Sequence, residues 1–440
     1  MSKRELQISS TELLRQELLT ETLINARKAP YYQKFIPQSK DYNVTFFKSL
    51  ATVSKQELTY HGQQMLTSNE FPFRIGISSG TTWQLSDQET PPSLRYESIL
   101  EREAFNQRAK ILGKHQPQLK PLTLNIITAM HGASFSNNNP GVFEVALLKP
   151  FHLHTIKHLL KQRHDYQGMT QRIENIFASV AYLKLLSTIF SRDSNAKDYL
   201  SNIKNVYSFA DYLSPRWKTF IESSFNAKVY DSYGLSEIRG SICFRCEHCH
   251  AFHMEPFIIP EILATQNDQD ISVGECGELT LTSLYPFSQL QPLIRYRTGD
   301  IVKRIENCPV ANDITFLPVG RKKLSLFDDK DKLLIPSFLL YEVIDNQVFV
   351  HRDYDDFLEL FSIGKAYGAP RFHLQAPNIV VEVNFHPSQF PQQKQQVLDK
   401  LFQDLKTIMK RFCINQEDQL EHNPFKVVAP NSLQFVSPQK

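Results

Sequence analysis

The sequence predicts an α/β protein: a large N-terminal domain of mixed or parallel sheets layered by helices, followed by a small α+β domain. Three observations carry that expectation. The chain has 440 residues, too many for one ordinary hydrophobic core and enough for two or three domains. Between residues 93 and 237 apolar strand-like runs alternate with helical patterns, as in a parallel layer covered by helices. Beyond residue 322 the strand pattern NIVVEVNF (378–385) and the amphipathic helix pattern QVLDKLFQDLKTIMKRF (396–412) fit a compact cap. The division expected is 1–320 for the large domain and 322–440 for the small one.

Taken in order, Leu13, Leu14, Leu18, Leu19, Leu23 and Ile24 recur at helical spacing between Thr11 and Arg27, and PYYQKFIP then breaks the helix. Leu50 to Leu58 reads as a loop with Ser54 capping a short helix. A strand from Phe73 to Ile77 opens onto Ser78, Ser79, Gly80, Thr81 and Thr82. Small hydroxylic residues around a glycine after a strand suit a phosphate cradle, since backbone N–H groups can approach an anion there, but they equally suit a polar turn. The Gly-Lys of a P-loop is missing, which excludes an ordinary Walker site. Residues 93–112 read as a helix, 122–130 and 143–151 as strands, and 154–164 as a helix. Between them 131–141, beginning at His131, is a turn-rich loop of the kind that lines pockets. Residues 173–190 form a strand turning into a helix near Ser179. Residues 205–237 repeat strand, loop, helix and strand, stopping at Tyr233. Glu237 falls just past that strand end, where a carboxylate can hold magnesium or simply cap a helix.

Composition narrows the class. Hydrophobic residues at 41% and charged residues at 22% describe a folded protein with a large core, not a disordered chain. Forty-nine basic against 46 acidic residues, a formal +3, leave no footprint for nucleic acid. The N-terminus lacks an apolar signal region, and no run of eighteen apolar residues occurs, so a cytoplasmic protein without membrane attachment is expected.

The six cysteines stand at 243, 246, 249, 276, 308 and 413. Cys243, Cys246 and Cys249 are spaced by two residues, and His253 follows after three more. Thiolates and imidazoles so spaced suit a tetrahedral structural zinc, against which reduced structural cysteines are the alternative. Cys308 could supply the remaining corner. Four of these five residues would then form a zinc clip in an insertion at about 240–310.

SSGTT, YGLSE, GECGELTLTSL, PLIRYRTGD and VGR occur in the order seen in adenylate-forming enzymes. The segment PLIRYRTGDI resembles their phenylacetate-coenzyme A ligase branch, and the resemblance spans about Leu50 to Arg321. CEHCHAFHM resembles the zinc-bearing segment of such relatives. Cys246, His253 and Cys308 fall on its ligand positions. Val310 stands where those relatives have another cysteine, so Cys249 or Cys243 would replace it. Carried over by position, the resemblance implies that Ser78, Ser79, Gly80, Thr81 and Thr82 wrap the ATP phosphates. Tyr233 and Gly234 would flank the adenine and the acid, Ser236 would touch the α-phosphate and Glu237 would hold magnesium. Asp300 would accept from both ribose hydroxyls, and Arg321 would grip the ribose near the domain hinge.

The activity so implied is a two-step ligation. A small carboxylic acid, aromatic or otherwise, attacks ATP to give an acyl-adenylate, and a thiol of coenzyme A or a carrier-protein phosphopantetheine then displaces AMP. Relatives in this branch are commonly dimers, so a homodimer is one expectation. The acid pocket is expected from Phe209 to Tyr212, Ser232 to Gly234 and the loop near His131. Three departures stand out. Trp83, Gln84 and Leu85 replace the family's Gly, basic residue and Pro; Lys322 and Lys323 replace paired aspartates after the Gly-Arg; and the C-terminal Gly-Lys is missing, leaving Lys426 as the candidate adenylation lysine. They support an alternative reading, a catalytically impaired homologue that binds an acyl-adenylate or a partner protein.

Overall fold

The computed structural model describes residues 3–39, 41–77, 93–107, 121–127, 141–147, 151–166, 168–238, 240–309, 313–328, 331–350, 352–353, 369–370, 372–375, 378–383, 390–412 and 423–428. A six-stranded sheet runs in the order Gly240–Phe244, Lys228–Leu235, Asn205–Phe209, Ile173–Ser179, Leu122–Ile127 and Val142–Ala146. Its pairs are parallel except at the edge, where Gly240–Phe244 turns back antiparallel on Lys228–Leu235. Helices Val180–Ser191 and Pro215–Phe225 cover the sheet, burying Leu124, Ile176, Leu183, Val206 and Phe225 in one core, while Thr123, Asn175 and Asn205 are joined side chain to side chain across neighbouring strands. Both helices begin where the sequence supplies a cap: the Ser179 and Ser214 hydroxyls accept from the N–H groups of Tyr182 and Trp217.

A second sheet is an antiparallel meander of Ile258–Leu263, Cys276–Ser283, Tyr296–Ile305 and Thr315–Arg321. The helix Lys3–Ala26 and the segment to Met65 share its core through Leu19, Leu23, Phe47 and Val53. A third core lies in the C-terminal region, where the sheet Phe372–Gln375, Asn378–Glu382 and Phe425–Val428 packs with helices Ser337–Asp345 and Phe390–Arg411. A large α/β part with mixed and parallel sheets and a small α+β part are therefore both present, as the residue patterns predict.

Two local expectations need correction. Residues 93–112 do not form one helix: Leu94–Glu97 is a strand paired with Arg74–Ile77, and the helix Ile99–Asn106 starts only after Ser98. Ser98 and Glu101 make a capping box that fixes this start, and the Tyr96 N–H donates to Gln291, so tertiary pairing overrides the helical pattern. The strand expected to stop at Tyr233 continues to Leu235, because its hairpin partner Gly240–Phe244 pairs Gly240 with Leu235 and Cys243 with Tyr233.

Candidate active site

The motifs converge where the parallel sheet meets the antiparallel one. Asp300 lies on Tyr296–Ile305 and is the cross-strand neighbour of Arg321, so strand register alone sets the Thr-Gly-Asp segment opposite the Gly-Arg segment. Arg321 reaches Asp300 Oδ1 at 2.8 Å, and Tyr233, arriving from the other sheet, donates its hydroxyl to Oδ2 at 2.6 Å. Burial raises the Asp300 carboxyl pKa, while Arg321 and Tyr233 pull it down. Tyr233 is pushed far up by burial and then by Asp300. The carboxylate thus has a cation on one oxygen and a neutral donor on the other.

Gly234 is paired with Ser241 in the hairpin, and Ser236 and Glu237 occupy its turn. Glu237 forms a salt bridge with Lys55 at 3.3 Å. Beside it lies Tyr296, 1% exposed, whose buried hydroxyl has no hydrogen-bond partner among the described residues and whose pKa is raised by burial and by Glu237. Sequence reasoning treated Lys55 as the start of a capped helix, and nothing local could reveal its partner. That partner is fixed by Val53, which pairs with the strand on both sides of Tyr296: its N–H donates to the Arg295 carbonyl at 3.0 Å, and its carbonyl accepts from Arg297 at 2.8 Å. Arg295 adds a clamp. It is 2% exposed, holds Glu261 through two bonds of 3.0 and 3.1 Å, and donates to the carbonyls of Lys48 and Leu50. The Arg-Tyr-Arg part of the motif is thus scaffolding for the segment that carries Lys55.

The pocket residues fare unevenly. Phe209 stacks on Phe177 with ring centroids 4.7 Å apart, whereas Tyr212 is diverted into contact with the small domain, stacking on Phe338 and donating to Glu342 at 3.1 Å. Ser78, Ser79, Gly80, Thr81, Thr82, Trp83 and the loop at His131 lie outside the described residues. Lys426 is exposed on Phe425–Val428, opposite Val380 in the small sheet.

Next to the hairpin, Cys246, Cys249, His253 and Cys308 come together with their ligand atoms all within 4.8 Å of one another. Cys246 and Cys308 sulfurs are 3.9 Å apart, close to the ~3.8 Å expected for two thiolates on one tetrahedral zinc with 2.3 Å bonds. The buried His253 Nε2 has no hydrogen-bond partner among the described residues, a cost that a metal would remove. Burial raises the Cys246 thiol, but the N–H groups of Cys249 and His248 and the His253 ring outweigh it and bring it down to about 6. The turn holds its shape through Cys246 N–H to the Ala251 carbonyl and His250, at φ 55°, to the Cys246 carbonyl. Cys308 arrives from between the strands Tyr296–Ile305 and Thr315–Arg321, and the loop is pinned there by reciprocal bonds between Phe252 and Phe316. Cys243 stands apart: it is 2% exposed in the core, its thiol against the Tyr233 carbonyl. The donor set fits zinc, and it is Cys249, not Cys243, that joins the other three.

No family model and no curated protein matches the sequence. Solved structures do. The protein resembles 2-hydroxyisobutyryl-CoA ligase, solved in an open conformation with 2-HIB-AMP and CoA, at a TM-score of 0.64 over 96% of this chain and 88% of that one, with 15% identity. The chain has the adenylate-forming fold. The same ligase in its postadenylation state matches at a TM-score of 0.63 over 99% of this chain and 88% of that one, at 15% identity. A GH3 acyl acid amido synthetase matches at 0.55 over 97% and 88%, again at 15% identity. Tyr233, Asp300 and Arg321 are joined within one seam of this fold. No helix among the described residues is long and apolar enough to cross a membrane.

Proposed function

We propose that this protein is a magnesium- and ATP-dependent ligase that activates a small carboxylic acid, aromatic or otherwise, as an acyl-adenylate and transfers it to coenzyme A or a carrier-protein thiol. The observation that carries this reading is the Asp300–Arg321–Tyr233 cluster beside the Glu237 turn. It is a buried acceptor for a diol next to a carboxylate suited to a magnesium–phosphate complex, on a fold shared with a ligase solved with 2-HIB-AMP and CoA.

In this reading the loop of Ser78, Ser79, Gly80, Thr81 and Thr82 wraps the phosphates, Ser236 meets the α-phosphate, and Tyr233 and Gly234 border the adenine and acid. Asp300 and Arg321 take the ribose. Glu237 holds the magnesium, whose charge neutralises the pyrophosphate leaving group. Cys246, Cys249, His253 and Cys308 hold a zinc that ties the hairpin loop to the antiparallel sheet; with four protein ligands it is structural, leaving no position for substrate. The small domain, 322–440, caps the site.

Acid-dependent release of pyrophosphate, measured with a panel of carboxylic acids, tests the assignment. Glu237→Gln lowers the rate about a hundredfold and raises the magnesium requirement; an unchanged rate assigns the metal elsewhere. A second reading, a catalytically impaired homologue that binds an acyl-adenylate or a partner protein, is favoured by two features: Lys426 is exposed on its strand, and Trp83, Gln84 and Leu85 replace the usual phosphate-loop continuation. Nucleotide binding without pyrophosphate release with any acid would select it.

A further inference from the structure

We propose that Lys55, from the N-terminal segment, is a cation that serves the adenylation step at the Glu237 turn. The inference rests on the ligase reading above. Three observations point to it. The Lys55 ammonium lies 3.3 Å from Glu237 Oε1, at the turn assigned to magnesium and the α-phosphate. Its side chain keeps 36% exposure while Glu237 keeps only 9%, so the cation faces the open side of a nearly buried carboxylate, where a substrate can reach it.

Its placement is also built rather than incidental. Ser54 and Glu57 form a capping box that starts the helix Lys55–His61 at Lys55 itself. Val53 is stapled to the strand of Tyr296 and Asp300, and the buried Arg295 anchors the carbonyls of Lys48 and Leu50. A long, flexible side chain on a fixed base is thus delivered to the seam. The Glu237 pair holds it there.

Adenylation joins two anions. An oxygen of the acid's carboxylate attacks the α-phosphorus, the bond from that phosphorus to the bridging oxygen of the β-phosphate breaks, and pyrophosphate leaves with the electron pair. No proton is transferred, so Lys55 need only stay charged. It would offset the negative charge gathered on the carboxylate and α-phosphate as the bond forms, and Glu237 would hold the magnesium.

The test is steady-state pyrophosphate release by the full chain with ATP, magnesium and the most active acid, for wild type, Lys55→Met and Lys55→Arg. Lys55→Met is expected to lose about a hundredfold in kcat with the KM for ATP changed less than about threefold, and Lys55→Arg to recover most of the loss. Melting temperatures within a few degrees of wild type show that neither substitution acts through the fold. An active wild type whose Lys55→Met variant keeps kcat within about threefold overturns the inference and leaves the ligase reading standing. A wild type that neither binds ATP nor releases pyrophosphate with any acid overturns that reading, and this inference with it.

Discussion

Asp300 has both carboxylate oxygens engaged, one by Arg321 and one by Tyr233. Each oxygen keeps a further lone-pair site that a ribose hydroxyl can use, so the carboxylate itself, not the neutral tyrosine donor, carries the contact. Tyr233→Phe is therefore expected to weaken ATP binding by no more than about threefold, whereas Asp300→Ala loses about thirtyfold or more; calorimetric titration separates the two. Asp231, three residues before Gly234, carries a different prediction. Burial raises its pKa from 3.8 to about 6, despite the Ser208 hydroxyl at 2.7 Å. A carboxyl raised in the folded state favours folding below its unfolded pKa, and that contribution is lost as pH rises through the folded value. Asp231→Asn should thus gain stability relative to wild type between pH 4.5 and 7.5. Asp231 is half-buried, so the gain is about 1–2 kcal/mol, read from denaturant melts at both pH values. A difference that does not change with pH removes Asp231 from the account.

Among the elements, the hairpin Lys228–Leu235 to Gly240–Phe244 and the cysteine loop behind it carry most of the site. Apolar residues at strand spacing and serine caps made the central strands and helices legible, because core burial and a capped first turn leave local traces. The strand Leu94–Glu97 left none, since its pairing with Arg74–Ile77 is a tertiary choice. Spacing likewise identified a metal-binding composition but not which cysteine faces inward. Strand alternation decides that: Cys243 pairs with Tyr233 and points into the core, while Cys246 lies past the strand end. Two variants follow from this division. Cys308→Ser is expected to drop bound zinc from about one to below about half an equivalent per chain and to lower the melting temperature by several degrees, while Cys243→Ser leaves the zinc in place. Elemental analysis after dialysis reads both; full zinc in Cys308→Ser contradicts the clip.

At the scale of the whole molecule, the small domain is held against the large one by buried polar contacts. Tyr212 bonds Glu342, Ser214 bonds Asp345 at 2.9 Å, and Lys184, 2% exposed, lies 5.1 Å from the Trp217 ring centroid and donates to the Tyr341 hydroxyl at 3.1 Å. Nearer the junction, Ser325 and Ser337 tie the ends of Arg321 into the helix Ser337–Asp345, and a Cβ at Gly320 would meet the Ser337 nitrogen at 2.7 Å. These contacts are specific but few, so removing two donors at once, Tyr212→Phe with Ser214→Ala, should free the small domain; a larger radius of gyration in solution X-ray scattering checks it, and an unchanged profile places the main contact elsewhere. The contacts of Tyr212, Ser214 and Lys184 were not legible in the sequence, because each joins residues more than a hundred positions apart. The same distance hid Lys55 from Glu237, whereas the Thr-Gly-Asp and Gly-Arg segments stand out in the sequence because each sets a Gly beside a charge. The central claim, that this seam makes an acyl-adenylate, is tested most directly by withholding the thiol. The protein is incubated with ATP, magnesium and the acid panel, and the nucleotide released on denaturation is weighed by mass spectrometry. The account predicts up to one acyl-AMP per chain with at least one acid; ATP or AMP alone with every acid would contradict it.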